Sequence, residues 1–157
     1  MNREKIYLDT TVPSAYYDER QPHRRKVTCG WWDNEIRNFS VVISELTRKE
    51  LSAVTDSLKK KKLLALVNKF EIVKITAECE RLAREYVKHK ILSERNFADA
   101  LHIAISSVCR ANILVSWNFK HIVNYKTRCG IRAINLLNHY PEIYIATLYE
   151  LGGEKYE

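Results

Sequence analysis

The stretch Lys5-Ile6-Tyr7-Leu8-Asp9 is short, apolar through its middle, and closed by a carboxylate. A strand with one face in water alternates apolar and polar residues, whereas a continuous apolar run has to be covered on both faces. Four other stretches share this character: Ser40-Val41-Val42-Ile43, Glu71-Ile72-Val73-Lys74, Ile113-Leu114-Val115-Ser116 and Ile143-Tyr144-Ile145. Between them, residues 44–56, 58–69, 76–90, 96–110 and 133–139 carry helical patterns. Residues 13–38 are also expected to be helical, broken near Pro22 and Gly30. Thr76 is placed to cap a helix whose first turn holds Glu78 and Glu80, where the dipole favours anions. Doubly covered strands alternating with helices imply an α/β fold, here a three-layer αβα sandwich with a central, mainly parallel sheet.

Composition bounds the rest. The 157 residues suit a single domain, 1–157, with no Gly/Ser/Pro-rich linker and no internal repeat. No apolar run reaches the roughly 18 residues of a membrane span, and the N-terminus lacks the apolar core of a secretory signal, so a cytoplasmic protein without membrane contact is expected. Lys and Arg number 26 against 19 Asp and Glu, for a net charge of +7. The C-terminal end runs the other way: Lys155 is its lone base beside Glu150, Glu154 and Glu157, an acidic tail from about 146 to 157. A basic body favours a polyanionic partner but says nothing of fold. The four cysteines have neither metal-ligand spacing nor a secretory context.

In a sheet of this kind ligands bind beyond the C-terminal strand ends, at the point where strand order reverses. Asp9 stands at such an end, although a helix N-cap, in competition with Thr10 or Thr11, would explain it equally well. Asp99 lies in a nearly wholly apolar helical stretch, Phe97-Ala98-Asp99-Ala100-Leu101-His102-Ile103. There a charge is costly unless it is paired or on a metal. Ser44 and Glu45 suit a helix start. Glu50 sits about 140° around that helix from Glu45, so the two do not share a site. Asn118 follows the fourth strand as Asp9 follows the first, and could bind a cation through its amide oxygen or simply form a turn. His102, three residues after Asp99, is read as a packed or hydrogen-bonded structural histidine.

Four motifs in order, YLDTTV at 7–12, ISELTRKEL at 43–51, ADALHIA at 98–104 and LVSWNFKHI at 114–122, resemble those of the PIN-domain ribonucleases, and more narrowly the VapC-like toxins of type II toxin–antitoxin pairs. The resemblance covers nearly the whole chain. It implies acids gathered around Mg²⁺ or Mn²⁺: by position Asp9, Glu50 and Asp99, with Asn118 in a fourth place where many members have Asp. It selects Glu50 over Glu45. Leu148 stands where related sequences are expected to carry Pro. Such a set hydrolyses RNA phosphodiester bonds. Asp9 and Asp99 would be the main metal ligands, Glu50 would complete the shell or orient the attacking water, and Asn118 and Ser116 would hold an outer water. The implied partners are an RNA substrate, a cognate antitoxin and a second copy of the chain. Trp31-Trp32 and Tyr16-Tyr17 are aromatic clusters suited to an interface or to the core. Phosphate contacts are expected from His23-Arg24-Arg25-Lys26 and Lys120-His121, whereas Lys59–Lys62 wraps around its helix and reads as a solvated face. Two other readings compete. One is a PIN-like module that binds RNA or protein without cleaving efficiently. The other is a phosphotransferase with Asp9 as nucleophile, disfavoured because Thr11 replaces the second Asp that chemistry needs.

Overall fold

The computed structural model describes residues 2–157. Five strands, β1 (Lys5–Leu8), β2 (Ser40–Ser44), β3 (Glu71–Val73), β4 (Ile113–Val115) and β5 (Tyr144–Ala146), form one sheet in the order β3-β2-β1-β4-β5. All four pairings are parallel, with Tyr7 opposite Val42 on one side and Leu114 on the other. Seven helices cover it: α1 (Thr11–Tyr16), α2 (Pro22–Asn34), α3 (Glu45–Ser52), α4 (Ser57–Val67), α5 (Ala77–Lys88), α6 (Phe97–Val108) and α7 (Tyr125–Leu137). This is the three-layer αβα sandwich, and each strand end expected from the apolar runs falls within one or two residues of its observed place.

The two-residue period of the strands sorts the core into two halves. Ile6, Leu8, Ile43 and Val115 pack with Val12, Val27, Trp31 and Leu63 of α1, α2 and α4. Tyr7, Val42, Leu114 and Ile145 pack with Leu82, Tyr86, Ile103 and Ile131 of α5, α6 and α7. The chain first winds outward from β1 to β3, then crosses to β4 and winds the other way. The reversal lies between β1 and β4, so their C-terminal ends flank the crevice where a ligand is expected.

Ser44, Asp56, Thr76 and Asn124 each cap a helix by accepting a backbone N–H three residues on. Asn96 does not; its amide bonds to Ser93 instead. At the other ends, α5, α6 and α7 stop with Lys90, Arg110 and His139 in the left-handed region. The next residue's N–H then reaches back to Tyr86, Ser106 and Asn135, the pairing that glycine usually makes easy.

Two expectations are corrected, and one open choice is decided. Pro22 opens α2 at its first position, where a missing N–H costs nothing, but Gly30 does not break it. Gly30 is bare because the Tyr156 ring of the C-terminal turn occupies the space a Cβ would take. α7 begins at Tyr125, eight residues before the expected 133, because its first two turns are largely polar and contain Gly130, itself packed under Ile91. Of the two readings of Trp31 and Trp32, core holds: they are 0% and 4% exposed and offer no surface to a second copy.

Candidate active site

Asp9 follows β1 and is 2% exposed. Its backbone N–H continues the ladder to Val115, so the carboxylate is delivered at the mouth of the β1–β4 seam. Both oxygens are held. Oδ1 accepts from the Thr11 N–H at 3.0 Å and the Thr11 hydroxyl at 2.5 Å, and Oδ2 accepts from Ser116 Oγ at 2.6 Å. Thr11 Oγ1 in turn accepts the Trp117 N–H, and Ser116 Oγ accepts that of Asn118, so the strand ends form one polar knot. Burial pushes the Asp9 carboxyl above its ordinary range, and the nearby His102, Ser116 and Thr11 only partly pull it back. Asp9 therefore faces the first turn of α1 without being its N-cap. That position is Thr10, whose hydroxyl is turned away to Glu50.

Glu50 reaches in from α3. Its Oε1 accepts from Thr10 Oγ1 and pairs with His102 Nε2, both at 2.6 Å. Burial raises its pKa, but the contacts with His102 and Thr10 outweigh this and leave the carboxyl below its ordinary value. Asp99, in the first turn of α6, is half-buried and raised by that burial. His102, His121 and the Asn118 side chain oppose the rise, and the charge of Glu50 adds to it. Asn118 Oδ1 accepts the His121 N–H, which folds the loop after β4 into a turn.

Asp9, Glu50 and Asp99 each lie near the buried ring of His102, and Asn118 lies beside Asp99. Among the described residues, however, no three His, Cys, Asp or Glu side chains stand close enough to hold a metal ion together. Sequence reasoning missed Tyr7, Thr10 and Ser44. The Tyr7 hydroxyl lies 2.6 Å from His102 Nδ1 and 2.7 Å from Ser44 Oγ. A usable signal was present: a tyrosine in a doubly buried strand needs a partner for its hydroxyl.

Beside the acids opens a groove of about 620 Å³, whose lining includes Thr10, Glu50, Asn118, Arg24, Phe119 and Lys120. Its other acid, Asp18, is paired with Arg20 at 3.0 Å. The Arg24 guanidinium lies 5.4 Å from the centre of the Phe119 ring and 5.8 Å from that of Trp117. A second hollow of about 330 Å³ shares Phe119 and Lys120, adds His121 and Lys126, and has no acid in its lining. Lys59–Lys62, in contrast, stand half-exposed or exposed on α4 and make no ion pair among the described residues.

The PIN domain family model matches residues 6–116, from β1 to the end of β4. The chain belongs to the PIN-domain family. The match spans Asp9, Glu50 and Asp99 and stops short of Asn118, the position where this PIN domain has an amide. Among solved structures, similar folds occur in VapBC-1 of nontypeable Haemophilus influenzae (12% identity, TM-score 0.58, 92% of this chain and 98% of that one). They occur also in VapBC2 of Rickettsia felis, bound to a DNA fragment from its promoter (15%, 0.54, 91% and 98%). A third is VapC20 of Mycobacterium tuberculosis, a Sarcin-Ricin loop cleaving toxin (18%, 0.55, 69% and 86%). At these identities the likeness is one of fold. No curated protein matches the chain significantly.

Proposed function

We propose that this PIN domain, spanning 1–157, is a divalent-metal-dependent endoribonuclease that acts as the toxin of a toxin–antitoxin pair. The observation that carries the reading is Asp9. It is a fully buried carboxylate at the strand-order reversal, oriented through both oxygens and raised by burial, beside Glu50, Asp99 and a groove bearing Arg24 and Lys120. Desolvated carboxyls gain most from a cation, which restores the charge balance that burial removed.

The donor set fits a hard cation such as Mg²⁺ or Mn²⁺, since it is all oxygen: the carboxylates of Asp9, Asp99 and Glu50 and the amide of Asn118. With no three-ligand cluster among the described residues, the ion would be held by one or two carboxylates and keep most of its waters. A bound divalent cation would supply charge neutralisation at the phosphate and lower the pKa of water. Asp9 and Asp99 would hold it, Glu50 would orient the attacking water, and Asn118 and Ser116 would hold an outer water. Arg24 and Lys120 draw the RNA phosphates into the groove, and exposed Phe119 offers a base a stacking face. The antitoxin partner is supported by the likeness of fold to VapBC assemblies. A homodimer belongs to the same reading, and the adjacent exposed Leu136 and Leu137 at the C-terminal end of α7 are apolar surface for it to cover. Light scattering at tens of micromolar tests the dimer, and pull-down with the product of the adjacent gene tests the antitoxin.

The second reading, a module that binds without cleaving, draws on the amide at Asn118, which attracts a second cation less than a carboxylate does. Incubation of single-stranded RNA with the purified protein separates the two. Cleavage that requires Mg²⁺ or Mn²⁺, stops with chelator and is lost in Asp9→Asn supports the nuclease. Binding without cleavage supports the module, and cleavage that survives both treatments refutes the site.

A further inference from the structure

Glu50 is held in an unusual way: every hydrogen bond it accepts among the described residues lands on Oε1, from Thr10 Oγ1 and His102 Nε2. Oε2 is left to solvent or a ligand. An ionised carboxylate has no hydrogen to give, so Nε2 of His102 must carry one. Its other nitrogen, Nδ1, lies 2.6 Å from the Tyr7 hydroxyl and accepts from it in the neutral ring or donates to it in the imidazolium. The Tyr7 hydroxyl also lies 2.7 Å from Ser44 Oγ, and Ser44 Oγ accepts the Thr47 N–H at 3.2 Å. The hydrogen-bond chain runs from Ser44 through Tyr7 and His102 to Glu50, crossing from β2 through β1 and α6 to α3. His102 also lies one turn after Asp99 on α6, so the helix that carries one site acid grips another.

We propose that His102 is a positioning residue: its ring, held at Nδ1 by Tyr7, grips Glu50 through Nε2–H and Oε1 and presents Oε2 to the site. This rests on the reading of Glu50 as a site carboxylate. His102 touches neither the RNA nor the cation; it decides which oxygen of Glu50 is available. Partners of this kind, one bond removed from a ligand, change metal affinity or activity roughly 10–100-fold when lost.

The test uses Tyr7→Phe, which keeps the ring in place and removes the hydroxyl that holds Nδ1, and His102→Gln, whose amide can still donate to Glu50. The ring's ¹⁵N spectrum reports the tautomer without reference to activity, and titration with Mn²⁺ alone reports the site. The wild type should show Nε2–H. Tyr7→Phe should loosen the ring and weaken Mn²⁺ binding roughly tenfold, with His102→Gln retaining more affinity than His102→Leu. A wild-type ring protonated on Nδ1 alone overturns the proposal. So does Mn²⁺ affinity unchanged in all three variants while the wild type binds normally. A wild type that binds no Mn²⁺ overturns the metal reading of the site and the role of His102 with it, and the tautomer still shows whether the hydrogen-bond chain exists.

Discussion

Ser116 Oγ donates a 2.6 Å hydrogen bond to Asp9 Oδ2 across the seam between β4 and β1, joining residues 107 positions apart. The bond is made at the point where the order of strands reverses, and it aims a buried carboxylate out of the sheet. It also sets the balance of charge there, because one hydroxyl, Thr11 and the nearby His102 do not offset the cost of burying Asp9.

That balance predicts the pH dependence of the metal-free protein. A carboxyl raised in the folded state binds its proton more tightly there than in the unfolded chain. Its contribution to stability is therefore lost as pH rises from the ordinary carboxylate range through the raised value. Asp99 acts in the same direction, and Glu50, which is lowered, acts in the opposite one. Asp9→Asn should melt above the wild type at neutral pH, by about 2–4 °C for each kcal/mol relieved, and lose that advantage below about pH 4. Melting curves between these limits check it, and an Asp9→Asn protein less stable at neutral pH would contradict it.

Asn118→Asp adds a charge beside Asp99, whose carboxyl the amide now helps to lower. At an effective dielectric of about 20, unit charges roughly 5 Å apart interact by about 3 kcal/mol before screening. The variant should bind Mn²⁺ at least about tenfold more tightly, since about 1.4 kcal/mol is tenfold in affinity, and its apo form should be less stable at neutral pH. Calorimetric titration paired with apo melting curves measures both. If neither moves, Asn118 is only the turn residue that its bond to His121 makes it.

Arg24 and Lys120 line the groove, whereas Lys59–Lys62 lie along α4 away from its lining. In the Asp9→Asn background, where the proposed cleavage should be lost, Arg24→Ala and Lys120→Ala should each reduce the salt dependence of single-stranded RNA binding by about 0.7 in the log–log slope. Lys61→Ala should leave the slope unchanged. Equal effects from all three would mean that RNA follows net charge rather than this groove.

Gly30 and Tyr156 test the acidic C-terminal end. A Cβ at Gly30 collides with the Tyr156 ring, whose hydroxyl donates to Glu35 at 2.8 Å while Lys155 pairs with the same carboxylate. Gly30→Ala should destabilise by about 1–3 kcal/mol through overpacking. In a Tyr156→Ala background the same change should instead stabilise by up to about 1 kcal/mol, because alanine is the better helix former. Denaturant melts of the four proteins close the cycle.

Much was legible in the chain itself. Apolar runs covered on both faces are a local property, so the five strands, the αβα layering and the caps at Ser44 and Thr76 could be read from neighbouring residues alone. The resemblance of four ordered motifs to the PIN family pointed to Asp9, Glu50 and Asp99, and it selected Glu50 where helix geometry alone did not. The ends of α5, α6 and α7 were legible to within two residues, at 90, 110 and 139, although Lys90, Arg110 and His139 rather than glycine hold the left-handed turns there. Tertiary structure decided what depends on which elements meet. Gly30 reads as a helix breaker until Tyr156, 126 positions on, is folded against it. Trp31 and Trp32 read equally as interface or core until the sheet closes over them. His102 reads as an ordinary packed histidine until β1 brings Tyr7 to one nitrogen and α3 brings Glu50 to the other. A hydrogen bond between distant residues has no period in the sequence. It exists only once the crossover from β3 to β4 has laid α6 over the strand ends, and that crossover turned a residue of unremarkable spacing into the centre of the site.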